Sequence, residues 1–307
     1  MQPRNYHPLV YVIVLNWNNW SDTLECVESV LKATYPNLSI MIVDNGSTDE
    51  SVQVLSERFP NLPLLRIMEN RYFAGGNNIA IDKAVATGAN YIMLLNNDTV
   101  VHPDFLNSLV AAMEADPSIA AVGGTLYFYE GEGLIQSAGS YINFMTGHTY
   151  SLGYGEMDIN QFVESRKVDY ICGAAILLRS KALKRVGLLD ESFMLYCEDV
   201  DWCLRAKKKG FGVMFIPNSR VVHKESVSAR TVKPLVAFLK IRNLIWLINR
   251  HASISEKLFF HISGLFYRYP KWIIGRLYRK EYSIVIPVIR GILAGYFTGD
   301  SAAIGKS

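Results

Sequence analysis

Continuous apolar runs that break at short polar stretches organise the first third of this chain. Leu9–Leu15 is apolar throughout and stops at Asn16-Trp17-Asn18-Asn19, the pattern of a strand buried on both faces that ends in a polar loop. Ser21 then reads as the N-cap of a helix through Lys32, with Leu24, Val27, Val30 and Leu31 on one face. Leu38–Val43 is a second strand, closed by Asp44-Asn45-Gly46-Ser47-Thr48-Asp49, after which helical signals run to about Phe59. Leu62–Met68 and Tyr91–Leu95 supply two further strands around a helix from about Gly76 to Thr87. Alternation of this kind predicts a mainly parallel sheet covered by helices on both faces. Ligands of such sheets bind beyond the carboxyl ends of the strands. Asn16, Asp44, Asn70 and Asp98 all stand just past such ends.

From about residue 119 the pattern changes. Ile119–Val122, Leu134–Phe144 and Val168–Leu178 read as strands, mixed or antiparallel, with glycine-rich connections. The stretch from about Thr146 to Lys167 lacks periodicity and reads as a long loop. Helices follow at about 180–187 and 199–209, then short strands at Phe211–Ile216 and Arg220–His223.

Charge divides the 307 residues more sharply than the formal net of +3 implies. Residues 1–229 hold 18 Lys and Arg against 25 Asp and Glu, whereas residues 230–307 hold 13 against 3. The expected organisation is therefore an α/β body over 1–229 and a basic, aromatic-rich helical extension over 230–307. The acidic body argues against nucleic acid as a partner. In the extension, Lys240, Arg242 and Arg250 lie among Phe238, Ile241, Leu244 and Trp246, and Phe259, Phe260, Phe266, Tyr267 and Trp272 follow with cations between them. That pattern suits helices lying on an anionic membrane surface; a helical lid, a dimer interface or a solvated helix face would share it. Tyr282 to Phe297 is too short to span a bilayer and contains Pro287 and Arg290. The start of the chain lacks signal-peptide architecture, so the expected location is cytoplasmic, at the inner face of the cell membrane. Cys26, Cys172, Cys197 and Cys203 form no CxxC pair and read as reduced, packed thiols.

Three stations carry candidate chemistry. Asp98, in Leu94-Leu95-Asn96-Asn97-Asp98-Thr99, puts a carboxylate just past an apolar strand, where it suits a divalent cation on a diphosphate; a helix cap is the plain alternative. Glu198-Asp199 and Asp201 open a helix after the apolar approach Phe193-Met194-Leu195-Tyr196. Acidic residues there favour the helix dipole, but against apolar surface a carboxylate also serves as a base on an alcohol. On that helix Glu198 and Asp201 are expected to point together and Asp199 elsewhere. His223 ends a strand-like run and is able to complete a metal shell, although a structural role is commoner for a lone His. Asp44-Asn45-Gly46-Ser47-Thr48-Asp49 suits a plain turn and helix cap, but a carboxylate at Asp44, at the end of an apolar strand, can also accept the imide N–H of a pyrimidine. Ala74-Gly75-Gly76-Asn77-Asn78 permits close backbone approach to a ligand at a helix start. Neither a GxGxxG order nor a P-loop is present.

Taken together, these segments resemble family 2 glycosyltransferases of the GT-A fold, in the rhamnosyltransferase-like branch. The resemblance rests on Val12–Asn18, Ile42–Asp49, Asn70–Asn78, Leu94–Asp98, Gly173-Ala174-Ala175, Tyr196–Arg205 and His223, in order, over about residues 9–225. It implies a central mainly parallel sheet flanked by helices, with the C-terminal helical extension appended. It implies that Asp44 and Asn16 hold the pyrimidine nucleotide, with Trp17, Asn45, Asn70, Gly76, Asn78 and Asn97 around it. Asn96-Asn97-Asp98 occupies the family's DxD position, so Asp98, Asn96 and His223 are the implied ligands of Mg2+ or Mn2+. Asp199, with Glu198 beside it, is the implied base. The implied reaction is single displacement with inversion, from a dTDP- or UDP-sugar such as dTDP-rhamnose to a glycan or polyprenyl-diphosphate-linked hydroxyl. Asn96 departs from the family's first Asp and leaves one carboxylate at the metal. This departure keeps a non-catalytic nucleotide- or glycan-binding protein as the alternative, against which Glu198, Asp199 and His223 argue. A sugar-phosphate nucleotidyltransferase would need a glycine-rich, basic loop after the first strand, and Asn16-Trp17-Asn18-Asn19 is not one.

Overall fold

A computed structural model describes residues 7–224 and 233–298; the expected boundary at 229/230 lies outside them. Strand and helix alternate first: β1 (Val10–Asn16), α1 (Trp20–Val30), β2 (Leu38–Asn45), α2 (Ser51–Arg58), β3 (Leu64–Ile67), α3 (Tyr72–Ala86) and β4 (Tyr91–Asn96). Next come β5 (Thr99–Val101), α4 (Phe105–Ala115), β6 (Ile119–Phe128), β7 (Ile135–Ser137), β8 (Ser140–Asn143), β9 (His148–Ser151), β10 (Arg166–Lys167) and β11 (Ala175–Arg179). The body closes with α5 (Ser180–Val186), a 3-10 turn at Glu191–Phe193, α6 (Glu198–Lys208) and β12 (Gly212–His223). Among the described residues four α-helices follow, α7 (Lys233–His251), α8 (Ile254–Ser263), α9 (Tyr269–Tyr278) and α10 (Tyr282–Phe297), with a π-helical turn at Gly264–Arg268 joining α8 to α9.

The main sheet runs β10-β12-β6-β11-β4-β1-β2-β3. β4, β1, β2 and β3 are mutually parallel, and β12 is parallel to β6. β11 is antiparallel to both β4 and β6, and so joins the two parallel groups. The apolar runs read from the sequence are buried here on both faces: Val10, Val12 and Val14 enter one core, Tyr11 and Ile13 the other. Because β1 and β2 pair in parallel with Asn16 opposite Asp44, the polar ends of both strands emerge side by side at one edge of the sheet.

Several elements differ from expectation. The first helix starts at Trp20, and Asn19, not Ser21, precedes it. α3 begins at Tyr72, so Gly75 and Gly76 lie inside the helix rather than before it. A Cβ on Gly76 would sit 2.7 Å from Leu15 Cδ1 and 3.1 Å from Asn45 Cγ, so the missing side chain lets α3 press against β1 and β2. The expected strand Leu134–Phe144 divides into β7 and β8 around Gly139, whose φ of +93° turns the chain. The two expected short strands after residue 211 are one strand, β12, with an irregularity between Phe215 and Arg220. The aperiodic stretch after Thr146 contains β9, which pairs with β8 as a separate hairpin.

The C-terminal helices are packed onto the body. Ile245, Trp246, Leu247 and Ile248 of α7 share a third core with Phe193, Val200 and Leu204 on either side of the start of α6. α10 lies against α7 through two glycines: a Cβ on Gly291 would meet Phe238 O at 2.6 Å, and one on Gly295 would meet Ile245 Cδ1 at 2.7 Å. Among the described residues no helix is long and apolar enough to cross a membrane.

Candidate active site

The carboxyl ends of β1, β2 and β4 form the floor of the site. Asn16 is fully buried and donates through Nδ2 to Asp44 Oδ1 (3.0 Å) and Ser47 Oγ (3.1 Å), while its Oδ1 accepts from Thr23 Oγ1 (2.7 Å). Asp44 accepts the Ser47 N–H on Oδ2 (3.2 Å), so both carboxylate oxygens are held and the group keeps a fixed orientation. A carboxylate has about four acceptor positions, which leaves capacity for a ligand donor. Gly46 has a φ of +73°, and a Cβ there would lie 2.5 Å from Glu69 C, so the β2 loop can pass the next segment only with glycine. Asn45 fastens that segment: Nδ2 donates to Asn70 Oδ1 (3.1 Å) and Tyr72 O (3.0 Å), and Oδ1 accepts from Arg71 N (3.0 Å). Trp17 stands half-buried just past β1.

Three residues expected at the nucleotide have their polar or steric capacity engaged elsewhere. Asn97 donates to Asn19 O (3.2 Å) and Thr23 Oγ1 (2.9 Å), tying β4 to α1. Asn78 donates to Leu189 O and Glu191 Oε1 and accepts from Leu189 N, which anchors the turn before α6. Gly76 serves the helix-on-sheet contact described above.

Beyond β4 the chain makes a tight turn at Asn97-Asp98 and returns as β5, which runs antiparallel to the end of β12 with Thr99 opposite His223. That pairing brings Asp98 Oδ1 to 3.2 Å from His223 Nε2, both groups being buried. His223 Nδ1 lies 2.9 Å from Gln136 Oε1, so a neutral imidazole would carry its proton on Nδ1 and turn the Nε2 lone pair toward the carboxylate. Nε2 has no regular hydrogen bond, an orphaned buried nitrogen beside an anionic oxygen. Two lone-pair donors so placed suit a cation bound by both. Two ligands at right angles, each about 2.1 Å from a metal, lie about 3 Å apart. Among the described residues no group of three His, Cys, Asp or Glu surrounds this point, so a cation held here would need further ligands, such as Asn96, water or a bound phosphate.

α6 presents Asp199 at the start of the segment that enters β11. Its Oδ2 accepts the Gly173 N–H (2.7 Å) and its Oδ1 the Val200 N–H (2.8 Å). A Cβ on Gly173 would be 3.3 Å from Asp199 Oδ2 and 3.0 Å from Phe73 Cζ, so glycine permits the close backbone approach. Burial raises the Asp199 carboxyl above its ordinary range, against the opposing pull of the two N–H groups. Glu198 is buried beside it; burial and then the Asp199 charge hold it well above the ordinary range, and its Oε2 finds no hydrogen bond. Asp201, expected to share a direction with Glu198, turns to α7 instead. There it meets Arg250 Nη1 (2.8 Å) and His251 Nε2 (2.8 Å), and on its own helix it pairs with Arg205 Nε (2.6 Å). Burial alone would raise Asp201, but the His251 hydrogen bond and the two guanidinium groups bring it down to about 2.

Cys172 marks the space that Asp98 and Asp199 share. Burial pushes its thiol up to about 12, and the charges of Asp199, Asp98 and Glu198 all act in the same direction. Gln136, Ser47, Thr23 and Cys172 were not foreseen. Gln136 and Ser47 meet His223 and Asn16, which are distant in the chain, whereas Thr23 lies seven residues from Asn16 with no pattern to mark the contact.

The model of glycosyl transferase family 2 matches residues 11–187. The chain belongs to that family. It is 25% identical over 246 residues to an N-acetylglucosaminyl-diphospho-decaprenol L-rhamnosyltransferase of Mycobacterium tuberculosis, spanning 73% of this chain and 79% of that one. It is 21% identical over 276 residues to the rhamnosyltransferase WbbL of Escherichia coli, spanning 84% of this chain and 100% of that one. Other curated relatives are far longer: the chain spans 25% of an uncharacterised Sinorhizobium fredii protein and 16% of the O-antigen biosynthesis protein RfbC of Myxococcus xanthus. In three dimensions it is similar to the mannosyltransferase PcManGT of Pyrobaculum calidifontis, solved with GDP-Man and Mn2+. The TM-score is 0.59 at 16% identity, covering 96% of this chain and 89% of that one. The fold of this family 2 member is thus GT-A, as the resemblance implied.

Proposed function

We propose that this family 2 chain is an inverting glycosyltransferase. It moves a sugar, L-rhamnose being the first to test, from a pyrimidine nucleoside diphosphate to a hydroxyl of a lipid-linked glycan. The observation that carries the reading is that Asp199, held by the N–H of Gly173, and Asp98, paired with His223, both lie near Cys172, where β11 begins beside the end of β4. The two rhamnosyltransferase relatives support the choice of sugar.

In this reading Asp44 and Asn16 orient the pyrimidine, and the Asn45–Asn70 clasp holds the wall beside it. Mg2+ or Mn2+ at Asp98, His223 and Asn96 would supply Lewis-acid stabilisation of the charge that grows on the departing diphosphate. Asp199 takes the proton of the acceptor hydroxyl as its oxygen bonds to the anomeric carbon. The bond from that carbon to the diphosphate oxygen breaks, and its electron pair leaves with the diphosphate. A base whose pKa burial has raised toward neutrality has more driving force for that transfer. The acceptor oxygen enters from the Asp199 side, opposite the diphosphate, which inverts the anomeric centre.

The extension supports a lipid-linked acceptor. Residues 254–298 hold seven Lys and Arg against two Glu, and Phe266, Tyr278 and Phe297 are 77%, 88% and 80% exposed. Apolar and cationic side chains together on an outer helical layer fit an anionic bilayer surface at the inner face of the membrane.

The test is calorimetric titration with UDP, dTDP and GDP, with and without Mn2+, beside transfer from dTDP-rhamnose by native protein and Asp199→Asn. The expectation is Mn2+-dependent binding of a pyrimidine diphosphate, with transfer lost and binding retained in the variant. Full transfer by Asp199→Asn removes the base assignment; no nucleotide binding favours a non-catalytic scaffold.

A further inference from the structure

The segment that leads into α6 adopts a backbone that its side chains resist. Met194, Tyr196 and Cys197 have φ of 63°, 69° and 73°, the left-handed region that residues with a Cβ enter at an energetic cost. Three of its carbonyls are held by one side chain from outside the segment. Asn243, fully buried on α7, donates through Nδ2 to Phe193 O (2.8 Å), Leu195 O (2.9 Å) and Tyr196 O (2.9 Å). Arg242 decides which end of that amide faces them: its Nε donates to Asn243 Oδ1 (2.9 Å), while its Nη2 donates to Ser192 O (2.9 Å) and Phe193 O (3.2 Å).

One turn further along α6, the same helix α7 makes a second attachment, from Arg250 and His251 to Asp201. Asn243 and Arg250 are seven residues apart and so share one face of α7. Asp199 stands between the two attachments. Its own side-chain bonds run to Gly173 and Val200, and the titratable groups that interact with it are Glu198, Tyr170, Cys172, Cys197 and Cys203. Where α6 begins, and hence where Asp199 points, is set by the path of residues 193–197.

We infer that Asn243 is a positioning residue for Asp199: by gripping the carbonyls of Phe193, Leu195 and Tyr196 it holds the strained approach to α6 in the one path that presents the carboxylate to the acceptor. This rests on Asp199 being the base. A buried Asn in mid-helix is otherwise poorly placed, since its amide competes with the helix for backbone partners. Here all of its bonds leave its own helix except the one that orients it.

The experiment compares native protein, Asn243→Ala, Arg242→Gln and Asp199→Asn for transfer kinetics, the pH dependence of kcat, and dTDP binding by calorimetry. Asn243→Ala is expected to lose about 10²-fold in kcat, the effect of an ångström's misplacement, with dTDP affinity and stoichiometry kept, because the nucleotide end rests on β1, β2 and β4. The acid limb of its kcat profile should also move to lower pH, as a loosened approach admits water to Asp199 and brings its pKa back toward the ordinary carboxyl range. Arg242→Gln frees the amide to turn and should give the same pattern more weakly; it stands in if Asn243→Ala does not fold. Cys197→Gly removes the cost of a positive φ and should restore part of the kcat lost in Asn243→Ala. Native kcat and an unmoved acid limb in a folded Asn243→Ala, with Asp199→Asn inactive, would overturn the positioning role and leave the base assignment standing. So would a fall of kcat in both variants that is matched by dTDP stoichiometry, so that each binding-competent site turns over at the native rate. Full transfer by Asp199→Asn removes the base itself, whatever Asn243 does.

Discussion

Asp98 Oδ1 and His223 Nε2 lie 3.2 Å apart because β5, which follows Asp98 at once, pairs antiparallel with the last three residues of β12. A pair made by strand register is rigid and needs no induced movement to receive a cation.

His223→Ala is therefore expected to weaken Mn2+-dependent dTDP or UDP binding by at least about 10–100-fold, the effect already seen for residues that only support a metal ligand. Metal-free nucleotide affinity should be unchanged. Calorimetry at several Mn2+ concentrations separates the two, and an equal loss with and without Mn2+ would place His223 on the nucleotide and not on the metal.

Glu198 is buried with one oxygen unpartnered, and its carboxyl is held well above the ordinary range by burial and by Asp199. A carboxyl raised in the folded state contributes stability that is full below its unfolded pKa of about 4.3 and is lost as pH rises through the folded value. Glu198→Gln should thus be more stable than native protein at pH 8, by about 1–3 kcal/mol. The difference should vanish near pH 4. Thermal melts across that range decide it, and a variant less stable at pH 8 would mean that the charge is compensated.

Asp201 titrates in the opposite sense. Its carboxyl is brought down to about 2 by His251, Arg205 and Arg250, so its contribution is present above the unfolded value of about 3.9 and is lost as pH falls through about 2. Asp201→Asn leaves two guanidinium groups facing a neutral amide and should cost about 3–5 kcal/mol at pH 7. Denaturant unfolding at pH 7 and pH 3 should show the gap narrowing in acid. A gap that does not change with pH would assign the cost to packing.

The outer layer of α8, α9 and α10 should carry the protein up with vesicles of anionic lipid and not with neutral ones. Phe266→Ser with Phe259→Ser, both on exposed positions, should reduce flotation without changing dTDP affinity. Flotation indifferent to lipid charge and to these substitutions would argue for a protein partner at this face.

Much of this arrangement is legible in single segments. The apolar runs ending at Asn16, Asp44 and Asp98 disclose both the strands and the edge where they stop, because a fully buried parallel strand admits no polar residue until it leaves the sheet. The acidic start of α6 is visible for a similar reason. The glycine pair reads as a helix start open to a ligand, yet Gly75 and Gly76 lie inside α3, where Gly76 lets the helix pack on Leu15 and Asn45 and Gly75 lies against Arg71 and Glu191. Asn78 and Asn97 look like free polar groups at a binding edge, and both are bound to backbone or hydroxyl groups that no local pattern reveals.

Taken alone, the sequence determined the alternation of elements, the edge of the sheet that carries chemistry, and the residue types available there, because these follow from periodicity and side-chain chemistry over a few neighbours. Only the tertiary structure decided which of them meet. His223 reaches Asp98 through the register of β5 on β12. Asp201 leaves the acidic trio for Arg250 and His251, and Asn243 closes on Phe193, Leu195 and Tyr196, because α7 packs its apolar face into a core shared with the start of α6. Such contacts depend on the relative placement of whole elements. That placement is set by the summed burial of many side chains, and no local stretch of sequence contains it.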